Sequence, residues 1–160
     1  MRKIVFLFLI LLIFPSSSFS AISCEQHFFG FVVKDKQRDS SKLKFVCTGT
    51  TGKVAISDTN FNHIKGKKLL SVRAFPTFPD SVTNAAVVEI QNSRGYDIFR
   101  KGTNLIPTSG EVESHAYNPT DDLYWYPPFD DENGYSIEVK NLEGESSFTI
   151  EISIQENNIL

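Results

Sequence analysis

The residues best equipped for contact chemistry lie in one run, Asp121-Asp122-Leu123-Tyr124-Trp125-Tyr126-Pro127-Pro128-Phe129-Asp130-Asp131-Glu132-Asn133-Gly134. Four rings, Tyr124, Trp125, Tyr126 and Phe129, and two prolines stand between two acidic clusters. Flat rings on a loop can stack on sugar rings while flanking carboxylates accept hydroxyl hydrogen bonds, which would make a glycan site. The same rings can anchor a protein partner, because Tyr and Trp bring large contact area at small entropic cost. They can equally cap one end of an apolar core, with the proline pair stiffening the crossing. Asp121, Asp122, Asp130 and Asp131 supply the oxygen ligands that calcium prefers. The run from Asp130 to Gly134 lacks the alternate-residue spacing of an EF-hand loop, however, and a turn with exposed acids accounts for it as well. Asp122 or Asp130 beside Trp125 could serve in glycoside hydrolysis, which needs paired carboxylates and one raised pKa in an apolar cleft.

Other chemistry has little to stand on. The sequence holds no P-loop, no dinucleotide-binding glycine pattern, no His-Glu-x-x-His and no Gly-x-Ser-x-Gly. His27, His63 and His115 fall in separate segments, without metal-ligand spacing. The reading is therefore a non-enzyme, with no cofactor beyond the calcium alternative. The charge is close to balanced, which does not suit a nucleic-acid-binding surface.

Cys24 and Cys47 admit two fates. Two cysteines in an exported chain usually form one disulfide. Ala21-Ile22-Ser23-Cys24 also resembles the lipobox of bacterial lipoproteins, with Ala21 where Leu is usual, and lipid on Cys24 would leave Cys47 free. Export itself is read from the first residues. Met1-Arg2-Lys3 is basic and Ile4 to Phe14 is unbroken apolar, ahead of Pro15 and a Ser-rich stretch. Eleven apolar residues are too few for a membrane span, which needs about 20. Residues 1–20 are thus expected to be a signal peptide, with cleavage before Ala21 and an extracellular, periplasmic or cell-surface destination.

The elements that must position these residues are strands. Phe148, Ile150, Ile152 and Ile154 alternate with polar residues, as do Tyr135, Ile137 and Val139, and the two runs read as an antiparallel hairpin across Asn141 to Gly144. Further strands are predicted at His27–Val33, Lys42–Thr48, Lys53–Ser57, Lys68–Phe75, Ala85–Gln91, Tyr96–Phe99 and Glu111–Tyr117, and no segment shows a convincing helical stripe. About eight strands separated by Gly, Pro, Asn and Ser punctuation predict an all-β antiparallel sandwich or jelly roll. Residues 21–160 are expected to form one domain, with an N-terminal hairpin region at 21–52 and the main sandwich at 53–160.

Charge is unevenly spread along the chain. Residues 21–73 hold ten Lys and Arg against four acids, and residues 74–160 hold four against fifteen. Either two solvated faces differ in composition, or a basic surface on one copy meets an acidic surface on the next.

The layout of residues 66–155 carries a resemblance. A Val-bearing run (Leu70-Ser71-Val72-Arg73-Ala74) passes a Pro-bearing loop (Pro76 to Asn84) into a strand that ends in an Asx-x-x-Gly-x-Asp turn. That strand and turn are Val87-Val88-Glu89-Ile90-Gln91-Asn92-Ser93-Arg94-Gly95-Tyr96-Asp97-Ile98. A Gly-containing loop, Lys101 to Asn104, follows, and the chain closes on the two alternating C-terminal runs. This resembles small β-sandwich proteins encoded among the structural genes of tailed bacteriophages. The resemblance implies a particle-forming or particle-decorating sandwich, self-associating or docked on another protein, and it identifies no catalytic residue. Unlike those proteins this chain begins with an export signal, so the implied role is extracytoplasmic.

Overall fold

The computed structural model describes residues 21–30, 40–79, 81–99, 104–115, 117–118, 123–124 and 126–155. The expected signal peptide at 1–20 lies outside them, as do Asp121, Asp122 and Trp125. The described strands are β1 (Ser23–Phe29), β2 (Ser40–Gly49), β3 (Gly52–Ala55), β4 (Lys68–Pro76), β5 (Ala86–Asn92), β6 (Asn104–Ile106), β7 (Val112–His115), β8 (Tyr117–Asn118), β9 (Leu123–Tyr124), β10 (Tyr135–Lys140) and β11 (Ser146–Gln155). One helix, α1 (Asp58–Ile64), sits between β3 and β4. A five-stranded sheet runs β1-β2-β11-β4-β7, a four-stranded sheet runs β3-β10-β5-β6, and β8 pairs with β9. Every pairing among the named strands is antiparallel. The chain is an all-β antiparallel sandwich, as the period-two alternation predicts.

The alternation explains the core directly. Phe148, Ile150, Ile152 and Ile154 of β11 are wholly buried, opposite Cys47, Phe45 and Leu43 of β2 and beside Val72 and Ala74 of β4. The other sheet turns Val88 and Ile90 of β5 and Ile137 and Val139 of β10 to the same core. Each such side chain contributes about 1.5–3 kcal/mol through burial.

Three expectations need correction. First, β10 and β11 do not form a hairpin, because they belong to different sheets. The connection crosses the sandwich, with Asn141 in the left-handed region (φ 62°) and Leu142 turned into the core. Thr51 holds the crossing in place, its hydroxyl accepting from the Leu142 N–H at 3.0 Å. Second, Tyr96–Phe99 is not a strand. The Asp97 carboxylate accepts from the N–H groups of Ile90 and Phe99 at 3.0 and 2.9 Å, and a single bridge joins Gln91 to Asp97. Third, Asp58–Ile64 is helical. Ser57 caps it by accepting from the Asn60 N–H, Asp58 sits in the first turn, and Phe61 and Ile64 are buried.

Cys24 and Cys47 face each other across β1 and β2 and are joined by a disulfide, with their Cα atoms 4.1 Å apart. A sulfur in this bond cannot also carry a lipid, so the disulfide reading replaces the lipobox one. Ahead of the bond, Ile22 is buried against the β2–β3 turn. That contact explains two glycines: a Cβ on Gly52 would lie 2.5 Å from Ile22 Cγ2, and one on Gly49, at φ 125°, would lie 2.9 Å from the Ala21 carbonyl oxygen. Gln26 of β1 then ties α1 to the sheet, donating to the Ala55 carbonyl at 2.8 Å and accepting from the Ser57 N–H at 2.9 Å. Beside it, Phe28 stacks on His63 with centroids 4.5 Å apart.

Folding interleaves the two charge blocks of the sequence. Across the outer face of the five-stranded sheet one register row reads His27, Lys44, Glu151, Arg73, Glu113. Lys42 pairs with Glu151 at 3.5 Å, and Arg73 pairs with Glu111. On the other sheet Glu138 stands opposite Glu89, a like-charge pair bridged by the Lys140 ammonium, 2.7 Å from Glu89 and 3.2 Å from Glu138. The Gln91 amide donates to both carboxylates. Basic and acidic stretches are thus neighbours on the outer face of the five-stranded sheet.

Candidate functional site

The aromatic run is fastened to the body of the fold at Pro127 and Phe129. Between β9 and β10 the extended segment Tyr126–Asp130 lies on the connection from α1 to β4. The Leu69 N–H donates to the Pro127 carbonyl, the Phe129 N–H to the Lys67 carbonyl and the Gly66 N–H to the Phe129 carbonyl, at 2.8–2.9 Å. Alternation then sorts the side chains, with Pro127 and Phe129 buried and Tyr126 and Asp130 exposed. Phe129 is at 0% exposure and meets Tyr135 edge-on, with centroids 5.0 Å apart. It is a core ring, and the expectation that it contacts a ligand or partner is corrected accordingly. Tyr126 keeps 36% of its surface exposed. Tyr124 lies on β9 opposite Tyr117, and Trp125 is outside the described residues.

The acids after Phe129 close a turn. The Tyr135 hydroxyl oxygen accepts from the N–H groups of Asp130 and Asp131 at 3.1 and 3.0 Å, and burial pushes its pKa up. Asp131 accepts from the Ser93 hydroxyl at 2.7 Å and from the N–H groups of Ser93 and Asn133 at 3.0 Å. The Ser93 hydroxyl is the main reason that its carboxyl lies below the usual range. Asp131 Oδ2 thereby joins this turn to the one after β5, while Oδ1 is engaged within its own turn by Asn133. Of the calcium candidates, Asp130 and Asp131 stand at this turn, while Asp121 and Asp122 are outside the described residues. Among the described residues no group of three or more His, Cys, Asp or Glu is placed to hold a metal ion.

The turn after β5 supplies a ring that sequence reasoning assigned to a strand. Asn92 accepts at its side-chain oxygen from the N–H groups of Arg94 and Tyr96 at 3.1 and 3.0 Å, and Gly95 takes φ 79°. Tyr96 is thereby held outward at 68% exposure. The Asn92-x-x-Gly95 spacing was the available signal. Between the two turns lie two shallow depressions of about 350 and 440 Å³ that share Asn92 and Asp130. Tyr96, Pro127 and Pro128 line the first, and Arg94, Asp131 and Glu132 the second. The site is thus a rim formed by exposed Tyr96 and half-buried Pro128 beside an acidic turn, with exposed Tyr126 next in the chain to buried Pro127.

The histidines lie on separate elements. His27 is on the outer face of β1, 3.7 Å from Glu25, His63 is on α1 under Phe28, and His115 is on β7 with its Nδ1 3.2 Å from the Leu70 carbonyl.

No protein-family model matches the chain, and no curated protein does. Among solved structures, a chain of the cyanophage Pam1 capsid asymmetric unit matches at 12% identity, covering 89% of this chain and 90% of that one with a TM-score of 0.35.

Proposed function

We propose that the chain is an exported, non-catalytic β-sandwich that acts by protein contact, packing against copies of itself or against another surface protein. The observation that carries this reading is the pair of rings at the rim. Tyr96 and Tyr126 are large, amphipathic and exposed; the Tyr96 backbone is hydrogen-bonded to Asn92, and Tyr126 directly precedes Pro127, whose carbonyl accepts from the Leu69 N–H. Ordered rings of this kind give up little entropy on binding, which favours them as contact anchors. Export is supported by the disulfide and by the basic-then-apolar start of the sequence. The non-catalytic reading is supported by the dispersal of the three histidines and by the commitment of Asp131 to its turn.

Sedimentation velocity on residues 21–160, from micromolar to sub-millimolar protein and at low and high salt, tests this. Wild type should self-associate, and Tyr96→Ala with Tyr126→Ala should weaken association about tenfold or more, as loss of central interface aromatics does. Association unchanged in the double variant would overturn the rim as the contact surface. Glycan-array binding that disappears with Tyr126→Ala or Trp125→Ala would move the rim to the glycan-binding alternative.

A further inference from the structure

We propose that β1 is a self-pairing edge, through which two copies join antiparallel about a twofold axis at Gln26 and make their five-stranded sheets continuous. The inference rests on the protein-contact reading and names the backbone that the copies share.

Among the described residues β1 has a neighbour on one side only. Its register with β2 fixes which peptide groups face the open side. Cys24 and Cys47 are directly opposed at a Cα separation of 4.1 Å, the narrow spacing of a non-hydrogen-bonded antiparallel pair. The N–H and C=O of Cys24 therefore point away from β2, and by the two-residue repeat so do those of Gln26 and Phe28. Such an edge is a template for another strand. The disulfide fastens one end of it to β2, and Gln26 fastens the middle to Ala55 and to the start of α1.

The occupant follows from the order of residues. A twofold axis at Gln26 sets Gln26 against Gln26 of the second copy and Cys24 against its Phe28, which matches outward donors with outward acceptors at every step. The intervening narrow pairs are Glu25 against His27 of the second copy, twice by symmetry. Both side chains are exposed on the outer face, where Lys44 of β2 stands beside His27 and Val46 beside Glu25. Two glutamates would thus meet two histidines flanked by two lysines. A charged residue on an edge normally prevents pairing, whereas this register sets each glutamate against a histidine that can hydrogen-bond to it, with the Lys44 ammonium beside that histidine. Phe29, 46% exposed, would come to lie against Ser23 of the second copy.

The test is charge exchange, on two exposed positions whose replacement leaves the core intact. Glu25→Lys and His27→Glu should each weaken dimerisation in sedimentation equilibrium by on the order of tenfold, because each sets like or unmatched groups opposite one another twice. An equimolar mixture of the two variants should recover a heterodimer, since the lysine introduced at 25 then faces the glutamate introduced at 27, and native Glu25 faces native His27. Amide exchange at Cys24, Gln26 and Phe28 should slow as wild-type concentration rises. Homodimers of wild-type strength in both variants, or a mixture no tighter than its components, would overturn the edge. Neither result touches the rim, which Tyr96→Ala with Tyr126→Ala tests separately.

Discussion

Replacing Phe129 by Ala separates a core ring from a contact ring within one aromatic run. Phe129 is fully buried, packs edge-on against Tyr135 at 5.0 Å, and belongs to the core cluster shared by both sheets. Truncating a buried Phe costs about 3–5 kcal/mol through lost transfer free energy and the cavity left behind, and the lost edge-to-face contact adds roughly 0.5–1.5 kcal/mol where it is not already counted. Single domains have about 5–15 kcal/mol in all, so Phe129→Ala should remove a large share of the stability. With a urea m-value of about 2 kcal/mol/M, a loss of about 4 kcal/mol lowers the midpoint by about 2 M. The assay is urea unfolding followed by tryptophan fluorescence and circular dichroism, with Tyr126→Ala, three residues away and exposed, as the control. That control should stay within about 0.5 kcal/mol of wild type. A Phe129→Ala midpoint within experimental error of wild type, or a Tyr126→Ala loss of equal size, would refute the alternation that sorts this run into core and rim.

Three further outcomes are expected. Reducing Cys24–Cys47, or replacing both by Ala, should lower stability by roughly 3 kcal/mol from the entropy of the opened loop, read as a fall in the urea midpoint that dithiothreitol reproduces in wild type. Tyr135→Phe leaves the Asp130 and Asp131 N–H groups without their acceptor and should cost about 1–3 kcal/mol in the same assay. The third concerns pH. The Lys140 hydrogen bond is the main reason that the Glu89 carboxyl lies below its ordinary value of 4.5. A depressed carboxyl contributes stability that is present above the ordinary value and is lost as pH falls through the folded one. Glu89→Gln should therefore be less stable than wild type at neutral pH, with the gap closing in acid below 4.5. A gap that stayed constant with pH would refute the assignment.

Much of the sandwich is legible in the sequence, because burial on one face prints itself as alternation. β11 is the clearest case, since its four apolar positions are the four that meet β2 and β4 in the core. What alternation leaves open is the partner of each strand. The five residues between β10 and β11 suit a hairpin or a crossing equally well, and the mark of the crossing was a single apolar residue, Leu142, amid polar neighbours. α1 is too short to show an apolar stripe, with Asn60, Phe61 and Ile64 turned inward, so its local signals were Ser57 and Asp58 at the start. The site was legible in composition and less so in placement. Tyr126 is at the surface as one reading required, Phe129 is in the core as another required, and Tyr96 entered the rim through an Asn92 turn that no aromatic pattern reveals. Antiparallel pairing sets β11, with Glu151, between β2 and β4, so residues from the two charge blocks are neighbours on that sheet.

Sedimentation velocity of the oxidised chain 21–160 over a wide range of concentration tests the account most directly. Protein contact as the mode of action predicts a sedimentation coefficient that rises with concentration, and in the Tyr96→Ala with Tyr126→Ala variant it falls back no further than the β1-paired dimer. A strict monomer across the whole range, at low and at high salt, would contradict self-association and with it the proposed β1 edge.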